Sequence, residues 1–449
     1  MKDLNTLTED VLKEIVRDHF FQPFCEKKEE AIGIELEYPV VNMRGQAVDV
    51  KILQGLMNSL VQRFPFHPIK TDEYGNILSI KNDTTEDIIA FEYSFYMLEF
   101  SMGKSKNLHD IANRFYLYLD HIQNFLSKHL YRLTGLGIHP HANEIDLSPI
   151  NYQYYNMLHK YMSLVDYSAF YYNSDFFSVI NSNQTHLDCK LEDVPRIINM
   201  LSKLDWINAF LFSNSAWLVD KYIERSKCIC YRDLIYDNSI FGVRKSNLGP
   251  YNENFQNINS VYESFVNSCS MWYILENNKY INFKPMSIRQ FFTASKINGF
   301  VINSKNDISE YCFTPKRSHI KFYKGFKDIA FTHYGTLELR CNCQQPIADT
   351  FVPTAFIIGC LKNIDKTNSI LDGLDLPYTN SDLRRNVIEI AFEGLKKRGL
   401  GEETLLASFY TRADNIACPA KNNIAFLQKG NSINDLIIRN SKTERTLLT

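Results

Sequence analysis

The chain has 449 residues, and 49 Lys and Arg residues nearly balance 51 Asp and Glu residues, giving a formal net charge of -2. Because sequence-independent nucleic-acid binders carry a strongly basic surface, this balance argues against a nucleic-acid partner. The longest apolar run, residues 351–361, is interrupted by Pro353 and is far shorter than the ~20 residues of a membrane span, so we predict no membrane partner.

Residues 1–20 are the first predicted element, an amphipathic helix with acidic residues from Asp3 onward. This segment has neither the basic start nor the apolar run of a secretory signal. Ten cysteines in 449 residues are too few for a disulfide-stapled fold. We therefore expect a protein of the reducing cytoplasm, and its oligomeric state is not readable from these patterns.

Strand and helix patterns follow each other at irregular intervals along the rest of the chain. Period-two alternation predicts four strands, over residues 31–41, 88–100, 176–188 and 332–341. Period-3.6 patterns predict three helices, over residues 107–131, 194–220 and 382–397. The irregular spacing favours an α+β fold with an antiparallel sheet covered by helices on one side. No linker divides the chain, so we predict one domain over residues 1–430 and a polar tail over residues 431–449.

The first predicted strand carries two acids on one face. Side chains two apart on a strand point the same way, so Glu35 and Glu37 lie opposite the apolar Ile34 and Tyr38. Two neighbouring carboxylates repel each other unless water solvates them or a divalent cation binds both. The segment alone is compatible with a solvated sheet edge and with a metal site.

The second predicted strand carries Glu92 and Glu99. Their odd separation of seven places the two side chains on opposite faces of a straight strand. If both belong to one site, a turn or a bulge must lie between them.

The third predicted strand places Ser182, Gln184, His186 and Asp188 on one face. A single histidine is more often a packed or surface residue than a ligand. The polar side chains of Gln184 and Asp188 flank this histidine on the same face, which favours a binding site.

The fourth predicted strand places Thr336, Glu338 and Arg340 on one face and apolar side chains on the other. An acid and a guanidinium two residues apart can form a salt bridge, which contributes little when it is exposed. In a site, the same pair offers a metal ligand beside a planar donor fork that suits a phosphoryl group.

Five segments taken together resemble the glutamate–cysteine ligase family of glutamine synthetase-like carboxylate–amine ligases. In chain order they are GIELE at 33–37, the Glu92 and Glu99 pair, SNQTHLD at 182–188, FLFSNSAW at 210–217 and GTLELRCNCQQP at 335–346. LGIHP at 136–140 fits as well. The resemblance spans about residues 31–346. It implies a glutamine synthetase-like catalytic domain whose curved antiparallel sheet forms a half-funnel backed by helices.

The resemblance also implies an activity, namely ATP-dependent joining of the glutamate γ-carboxylate to the amine of cysteine through γ-glutamyl phosphate. It implies ATP as co-substrate and two or three Mg²⁺ ions, with Mn²⁺ as a substitute. The residues that match the family's metal ligands are Glu35, Glu37, Glu92, Glu99, His186 and Glu338. Gln184 and Arg340 match residues that contact nucleotide or the transferring phosphoryl group, which makes Glu338 and Arg340 the expected catalytic pair.

One family segment aligns poorly with this chain. The family carries an arginine-bearing segment after the third strand that helps to hold ATP and the acceptor. The candidates here are Arg225, Arg232 and Arg244, of which we prefer Arg232. Two other functions stay open: a ligase that uses a different acid or amine in a specialised pathway, and a non-catalytic binding protein with the same fold.

Two Cys-x-Cys pairs add a further alternative. Cys228 with Cys230 and Cys341 with Cys343 suggest either a four-thiolate zinc site or a reversible disulfide that controls activity. A one-residue gap on a strand places both sulfurs on one face, where free cysteines pack as small apolar side chains. We prefer this packing interpretation.

Overall fold

The computed structural model describes residues 8–25, 29–142, 144–164, 175–216, 230–243, 245–268, 270–303, 307–372, 381–407, 409–415 and 418–444. These segments contain fourteen α-helices and fifteen β-strands. The helices are α1 Glu9–Val16, α2 Val50–Arg63, α3 Leu108–Ser127, α4 Gln153–Met162, α5 Val194–Phe212, α6 Tyr231–Asp237, α7 Ile258–Asn267, α8 Ile288–Thr293, α9 Val352–Lys362, α10 Ile364–Asp372, α11 Ser381–Arg398, α12 Phe409–Asn415, α13 Pro419–Gln428 and α14 Ile433–Asn440. The strands are β1 Ile32–Asn42, β2 His67–Thr71, β3 Ile77–Lys81, β4 Ile88–Phe91, β5 Met97–Ser105, β6 Tyr131–Leu133, β7 Asn183–Asp188, β8 Leu248–Gly249, β9 Met271–Glu276, β10 Lys279–Met286, β11 Ile297–Ile302, β12 Ile308–Phe313, β13 Phe326–Lys327, β14 Ile329–Phe331 and β15 Thr336–Leu339.

A nine-stranded sheet organises the fold. Its strands follow the order β14-β15-β7-β1-β5-β4-β3-β2, and β6 pairs with the far end of β1. Every neighbouring pair in this sheet is antiparallel. A second antiparallel sheet has the order β12-β11-β10-β9, and β8 pairs with β13. The predicted α+β class with a large antiparallel sheet is therefore confirmed.

Helices α3 and α9 cover one face of the large sheet. Tyr38 of β1 is fully buried and stacks on Phe115 of α3, with ring centroids 5.7 Å apart. The hydroxyls of Thr185 on β7 and Thr354 on α9 are hydrogen-bonded at 2.8 Å. Because strand side chains alternate, the acids of β1 project from the opposite face, away from these helices.

Buried apolar side chains from both sheets and from helices α1–α12 form one contiguous core. Because one core serves these elements, we keep a single domain over residues 1–430 as a proposal. Within the described segments, no single helix meets the length and hydropathy requirements of a membrane span. Residues Ile347–Lys362 and Ile364–Asp372 meet them only as a combined pair, which is bent by 92°.

Three predicted helices have clear counterparts. Helix α3 begins after Asn107, whose side chain accepts a hydrogen bond from His109 N, and α11 ends next to Gly399, which has a φ of +69°. Helix α5 ends at Phe212, eight residues before the predicted end. The chain leaves the helix there because the Asn214 side-chain amide donates to Gly135 O and Gln344 O, contacts that the local pattern does not reveal. Residues 217–220 lie outside the described segments.

Part of the polar tail predicted over residues 431–449 is helical. Residues 433–440 form α14, which buries Leu436 and Ile437. Thr134 Oγ1 donates to Ile437 O at 3.1 Å, and Gly135 N donates to Asn440 O at 3.1 Å. The overall polarity of the segment hid a short apolar stripe at helical spacing.

The predicted strands are confirmed in position, with changes in length. Residues 88–100 split into β4 and β5, which are joined by a tight connection at residues 92–96. Within 176–188 only the last six residues form a strand, and within 332–341 the strand starts at Thr336. Gly335 adopts a φ of +72° just before it, and Thr336 N donates back to Thr332 Oγ1, so a turn replaces the first residues of the predicted strand.

Candidate active site

The six predicted metal ligands lie on neighbouring strands of the large sheet and on the β4–β5 connection, and they form two groups of three. In each group the possible ligand atoms lie within 4.8 Å of one another. The first group is Glu35, His186 and Glu338, and the second group is Glu37, Glu92 and Glu99. Within the described part of the chain, these are the groups of acids, histidines and cysteines compact enough to hold a metal ion.

The first group spans three adjacent strands. Glu338 of β15 stands directly opposite His186 of β7 in the strand register. His186 Nε2 is 3.1 Å from Glu35 Oε1 on β1, and His186 Nδ1 is 3.2 Å from Thr336 Oγ1. Burial by itself lowers the pKa of His186, but the hydrogen bond to Glu35 and the charges of Glu35 and Glu338 together outweigh burial, so the pKa is raised. Burial likewise opposes ionisation of Glu35, yet His186 keeps the pKa of this carboxyl below its usual value.

The second group joins β1 to the β4–β5 hairpin. Glu37 and Glu99 are directly opposite each other in the β1–β5 register, and Glu92 follows the last residue of β4. The connection between β4 and β5 brings Glu92 to the same side as Glu99, which confirms that a turn must separate the two if they share a site. Ser182 N donates to Glu37 Oε2 at 2.5 Å, and Ser101 Oγ donates to Glu99 Oε1 at 2.5 Å.

The carboxylates of the second group destabilise one another's charged forms. Burial, followed by the nearby charge of Glu92, raises the pKa of Glu37 to about 7. Burial, followed by repulsion from Glu92, raises the pKa of Glu99 well above its usual value. A bound divalent cation removes this repulsion, and the carboxylate oxygens that make up five of the six ligands are hard donors that suit Mg²⁺ or Mn²⁺. The donor set therefore fits the predicted cations.

Mg²⁺ is expected to bind about tenfold more tightly at pH 8 than at pH 6, because a proton competes for Glu37 below pH 7. A carboxyl group whose pKa is raised by folding contributes stability below its unfolded pKa and loses it as the pH rises through the folded value. The metal-free protein should thus lose stability between about pH 4.5 and pH 7 from this group, and Mg²⁺ should restore it. Titration calorimetry and thermal unfolding at both pH values measure the effect. Glu37→Gln should flatten it, and equal affinity at both pH values would contradict the assignment.

Arg340 lies next to the first group. Its Nε is 3.5 Å from Glu338 Oε1, and this neighbouring carboxylate raises the pKa of the guanidinium. Glu338 and Arg340 therefore form the same-face salt bridge that the strand pattern allows. The side chains are 23% and 12% exposed, so the pair is partly withdrawn from water.

Lys324 is a cation of this region that sequence patterns did not single out. Burial, followed by the charge of Arg340, lowers the pKa of Lys324, while Glu92 and Glu338 oppose that shift. Lys324 lies between a 3₁₀ helix over Arg317–Phe322 and strand β13, in a stretch without period-two alternation, so no strand pattern indicated it. Only the packing of this connection against the large sheet brings its charge to the carboxylates.

Arg232, the preferred nucleotide-contacting arginine, is buried beside Arg340. Its guanidinium donates to Arg340 O at 3.0 Å and to Cys341 O at 3.5 Å, and it lies over the ring of Tyr236 at 5.1 Å. Its Nε is buried without a hydrogen-bond partner, so one donor is available to a ligand. The other two candidates, residues 225 and 244, lie outside the described segments.

Gln184 lies beside the second group. Its amide Nε2 donates to Glu37 Oε1 at 3.2 Å and to Ser182 Oγ at 2.9 Å. Its Oε1 is buried and has no hydrogen-bond partner. The side chain therefore orients a carboxylate of the second group and leaves an acceptor for a ligand, while its predicted nucleotide contact stays a prediction.

A cavity of about 220 Å³ adjoins the two arginines. Asp205 and Asp328 line it together with Arg232, Tyr236 and Arg340. Burial, followed by the charge of Asp233, raises the pKa of Asp205 to about 6. The sequence analysis missed both aspartates, because each lies outside the predicted strands that carry the metal ligands. Groups of both signs in one cavity suit a ligand that carries both charges.

The zinc interpretation of the cysteines has no support in the described residues. Neither compact metal-binding group there includes a cysteine. Cys341 and Cys343 are free thiols, and Cys343 is 1% exposed. Its sulfur lies 3.7 Å from that of Cys230, whereas Cys228 is outside the described segments.

No protein-family model and no curated protein sequence matches this chain. Among solved structures, the chain is similar to a bifunctional glutathione synthetase from Pasteurella multocida, with 11% identity and a TM-score of 0.45. That alignment covers 96% of this chain but 54% of the other, so this chain spans about half the length of that protein. It is also similar to a glutamate–cysteine ligase from Francisella tularensis in complex with AMP, with 11% identity, 93% and 89% coverage and a TM-score of 0.49. Similarity at this level assigns no function, which must be inferred from the site.

Proposed function

We propose that this protein is an ATP-dependent carboxylate–amine ligase that joins the γ-carboxylate of glutamate to the amine of cysteine. The observation that carries the proposal is the pair of three-ligand groups on one sheet face, with Arg340 beside Glu338. Two adjacent cation sites flanked by a guanidinium suit a polyphosphate and the transfer of its terminal phosphoryl group.

The chemistry explains why such a site is needed. A carboxylate resists attack by an amine because its leaving group would be oxide. Phosphorylation of the γ-carboxylate by ATP gives γ-glutamyl phosphate, from which the amine of cysteine displaces phosphate. This route needs no nucleophile from the protein, and its main demand is stabilisation of charge on the phosphoryl oxygens.

Each group of ligands would help to stabilise the charge on the phosphoryl oxygens. Glu35, His186 and Glu338 would hold one Mg²⁺ ion, and Glu37, Glu92 and Glu99 would hold another. When bound, such ions neutralise phosphate charge and orient the reacting oxygens. His186 would bind the cation through an unprotonated ring nitrogen. Thr336 Oγ1 lies 3.2 Å from His186 Nδ1 and orients the ring.

The cationic side chains complete the site. Arg340 would contact the transferring phosphoryl oxygens through its planar fork, and Lys324 would add a second positive charge. Arg232 donates to the backbone carbonyl of Arg340 and thereby fixes the chain that carries it. The adjoining cavity would bind the amino-acid substrate, with Arg232 toward its carboxylate and Asp205 and Asp328 toward its ammonium group.

The test is ADP release by the purified full chain with Mg-ATP, glutamate and a panel of amines, with cysteine first. We expect release that requires glutamate, an amine and Mg²⁺, and a γ-glutamyl product identified by mass. Hydroxylamine in place of the amine should give γ-glutamyl hydroxamate if γ-glutamyl phosphate forms. α-Aminobutyrate, which lacks the thiol, is the matched comparison for cysteine.

Two outcomes of this panel would change the proposal in different ways. Faster turnover with another amine than with cysteine would replace the acceptor and retain the ligase. No Mg²⁺-dependent ADP release with any amino acid would refute the ligase and favour a non-catalytic binding protein.

A further inference from the structure

Two aspartates from distant parts of the chain form a pair in the cavity beside the two arginines. Asp205 of α5 is hydrogen-bonded to Asp328, which lies between β13 and β14, and to the thiol of Cys341. Two ionised carboxylates repel each other, so a hydrogen bond between them requires that one of them carries a proton. The pair therefore consists of one acid and one base in contact.

The surroundings decide which aspartate carries the proton. Burial, followed by the charge of Asp205, raises the pKa of Asp328 well above its usual value. Burial and then the charge of Asp233 raise the pKa of Asp205 to about 6, while the bond from Cys341 favours its ionised form. At neutral pH Asp328 is thus protonated and Asp205 is a carboxylate. Its pKa lies close to that pH, which suits proton transfer.

The pair faces the place where the proposed reaction forms its new bond. Arg340 lines the same cavity and is 3.5 Å from Glu338 of the first ligand group. A molecule in the cavity is therefore adjacent to the phosphoryl group that Arg340 would contact. The charged and titratable groups that surround the pair are Arg232, Asp233, Tyr236 and Asp237 of α6, Lys327 of β13, and Arg340 and Cys341 after β15. The two guanidiniums among them favour loss of a proton from a cation bound beside Asp205.

We propose that Asp205 is the catalytic base that takes a proton from the ammonium group of the acceptor, and that Asp328 is the positioning residue that holds Asp205 through the shared proton. The assignment rests on the proposed function. An ammonium nitrogen has no lone pair, so only the neutral amine can attack γ-glutamyl phosphate. A base beside the two guanidiniums supplies that neutral amine where the acyl phosphate forms.

Two protons leave the acceptor nitrogen in this step. The first passes from the ammonium group to the Asp205 carboxylate, which leaves a neutral amine. The nitrogen lone pair then forms the C–N bond at the γ-acyl carbon, and the bond from that carbon to the phosphate oxygen breaks with its electron pair on phosphate. The second proton passes from the new amide nitrogen to the released phosphate, and Asp205 returns its own proton to water. No oxidant, reductant or further co-reactant takes part.

The experiment compares cysteine with hydroxylamine as acceptors for the full chain with Mg-ATP and glutamate. At neutral pH cysteine is largely an ammonium ion and needs the base, whereas hydroxylamine is largely neutral and does not. We expect Asp205→Asn to lower kcat with cysteine on the order of 10²-fold while hydroxamate formation stays within about twofold of the unsubstituted chain. Asp120→Asn, at an exposed aspartate of helix α3, is the matched control and should match the unsubstituted chain with both acceptors.

The pH profile separates a base from a residue that only supports the fold. With Asp205 in place, the rate with cysteine should fall as the pH drops below about 6, because protonation removes the base. In Asp205→Asn the rate should instead rise about tenfold per pH unit up to the pKa of the free amine, since only amine that is already neutral reacts. Asp328→Ala removes a donor that favours ionised Asp205, so the fall should move to higher pH, and Asp328→Asn should restore it.

The outcomes separate the base from the ligase. Equal slowing with both acceptors in Asp205→Asn, full activity of that variant with cysteine, or an unchanged pH profile would each overturn the base. Hydroxamate formation by the unsubstituted chain supports the ligase whatever the variant does, and in the variant it also reports that the phosphorylating site is folded. If the unsubstituted chain releases no ADP with any amine, the ligase is refuted and the base with it.

Discussion

Glu338→Gln is expected to lower Mg²⁺-dependent ADP release on the order of 10³-fold while the protein stays folded. Glutamine keeps the size of the side chain and one oxygen but removes the negative charge that faces His186 and Arg340. Glu338 is the residue that belongs both to the first ligand group and to the ion pair with Arg340 at 3.5 Å. Its neutralisation therefore weakens cation binding and misplaces the guanidinium at once.

The measurements are ADP release with glutamate and cysteine, and γ-glutamyl hydroxamate formation with hydroxylamine. Glu310→Gln is the matched control, since Glu310 is an exposed strand glutamate of the second sheet. Circular dichroism and the urea midpoint should be close to those of the original chain for both variants. If Glu338→Gln released ADP as fast as the unsubstituted chain, the assignment of Glu338 as a metal ligand and catalytic residue would be refuted.

Arg340→Lys is the second substitution with a large expected effect, a loss of roughly 10²-fold in kcat. Lysine retains the positive charge but presents a point charge instead of a planar fork, and the two side chains are not interchangeable at such a site. Because the backbone carbonyl of residue 340 still accepts from Arg232, the local chain should hold its position. The defect should thus fall on kcat more than on the KM for glutamate.

Steady-state rates over ranges of ATP and glutamate distinguish this result from a binding defect. Arg317→Lys is the matched control, because Arg317 forms an exposed ion pair with Glu14 and Asp18 and touches neither ligand group. Arg340→Ala should be at least as slow as Arg340→Lys. A kcat near the original value in Arg340→Lys would mean that charge alone suffices, and a purely raised KM would assign Arg340 to ground-state binding.

Much of the candidate site is readable from strand alternation. Spacing of two residues on a strand predicts that Glu35 shares a face with Glu37, and likewise Glu338 with Arg340. The parity of residues 92 and 99 predicts an interruption between them, and the structure has the β4–β5 connection there. These inferences succeed because alternation is a local property of an extended backbone.

Other features depend on which segments meet in space. The strand order β15-β7-β1-β5 divides the six ligands into two groups, and no local pattern specifies that order. Lys324 and the aspartates of the cavity come from connections or helices without strand periodicity. Helix α5 ends at Phe212 because Asn214 bonds to the distant carbonyls of Gly135 and Gln344.

The sequence by itself determined the α+β class, the acid-bearing strand faces and the resemblance that pointed to a carboxylate–amine ligase. Each of these depends on spacing within one segment, which backbone geometry converts directly into a face. Only the tertiary structure decided the grouping of the ligands, the anchoring of Arg232 on the carbonyl of Arg340 and the contact between Cys230 and Cys343. The first ligand group and the two contacts join residues more than a hundred positions apart, and the second group joins residues as far apart as 37 and 99. These features therefore depend on strand pairing and packing that local periodicity does not encode.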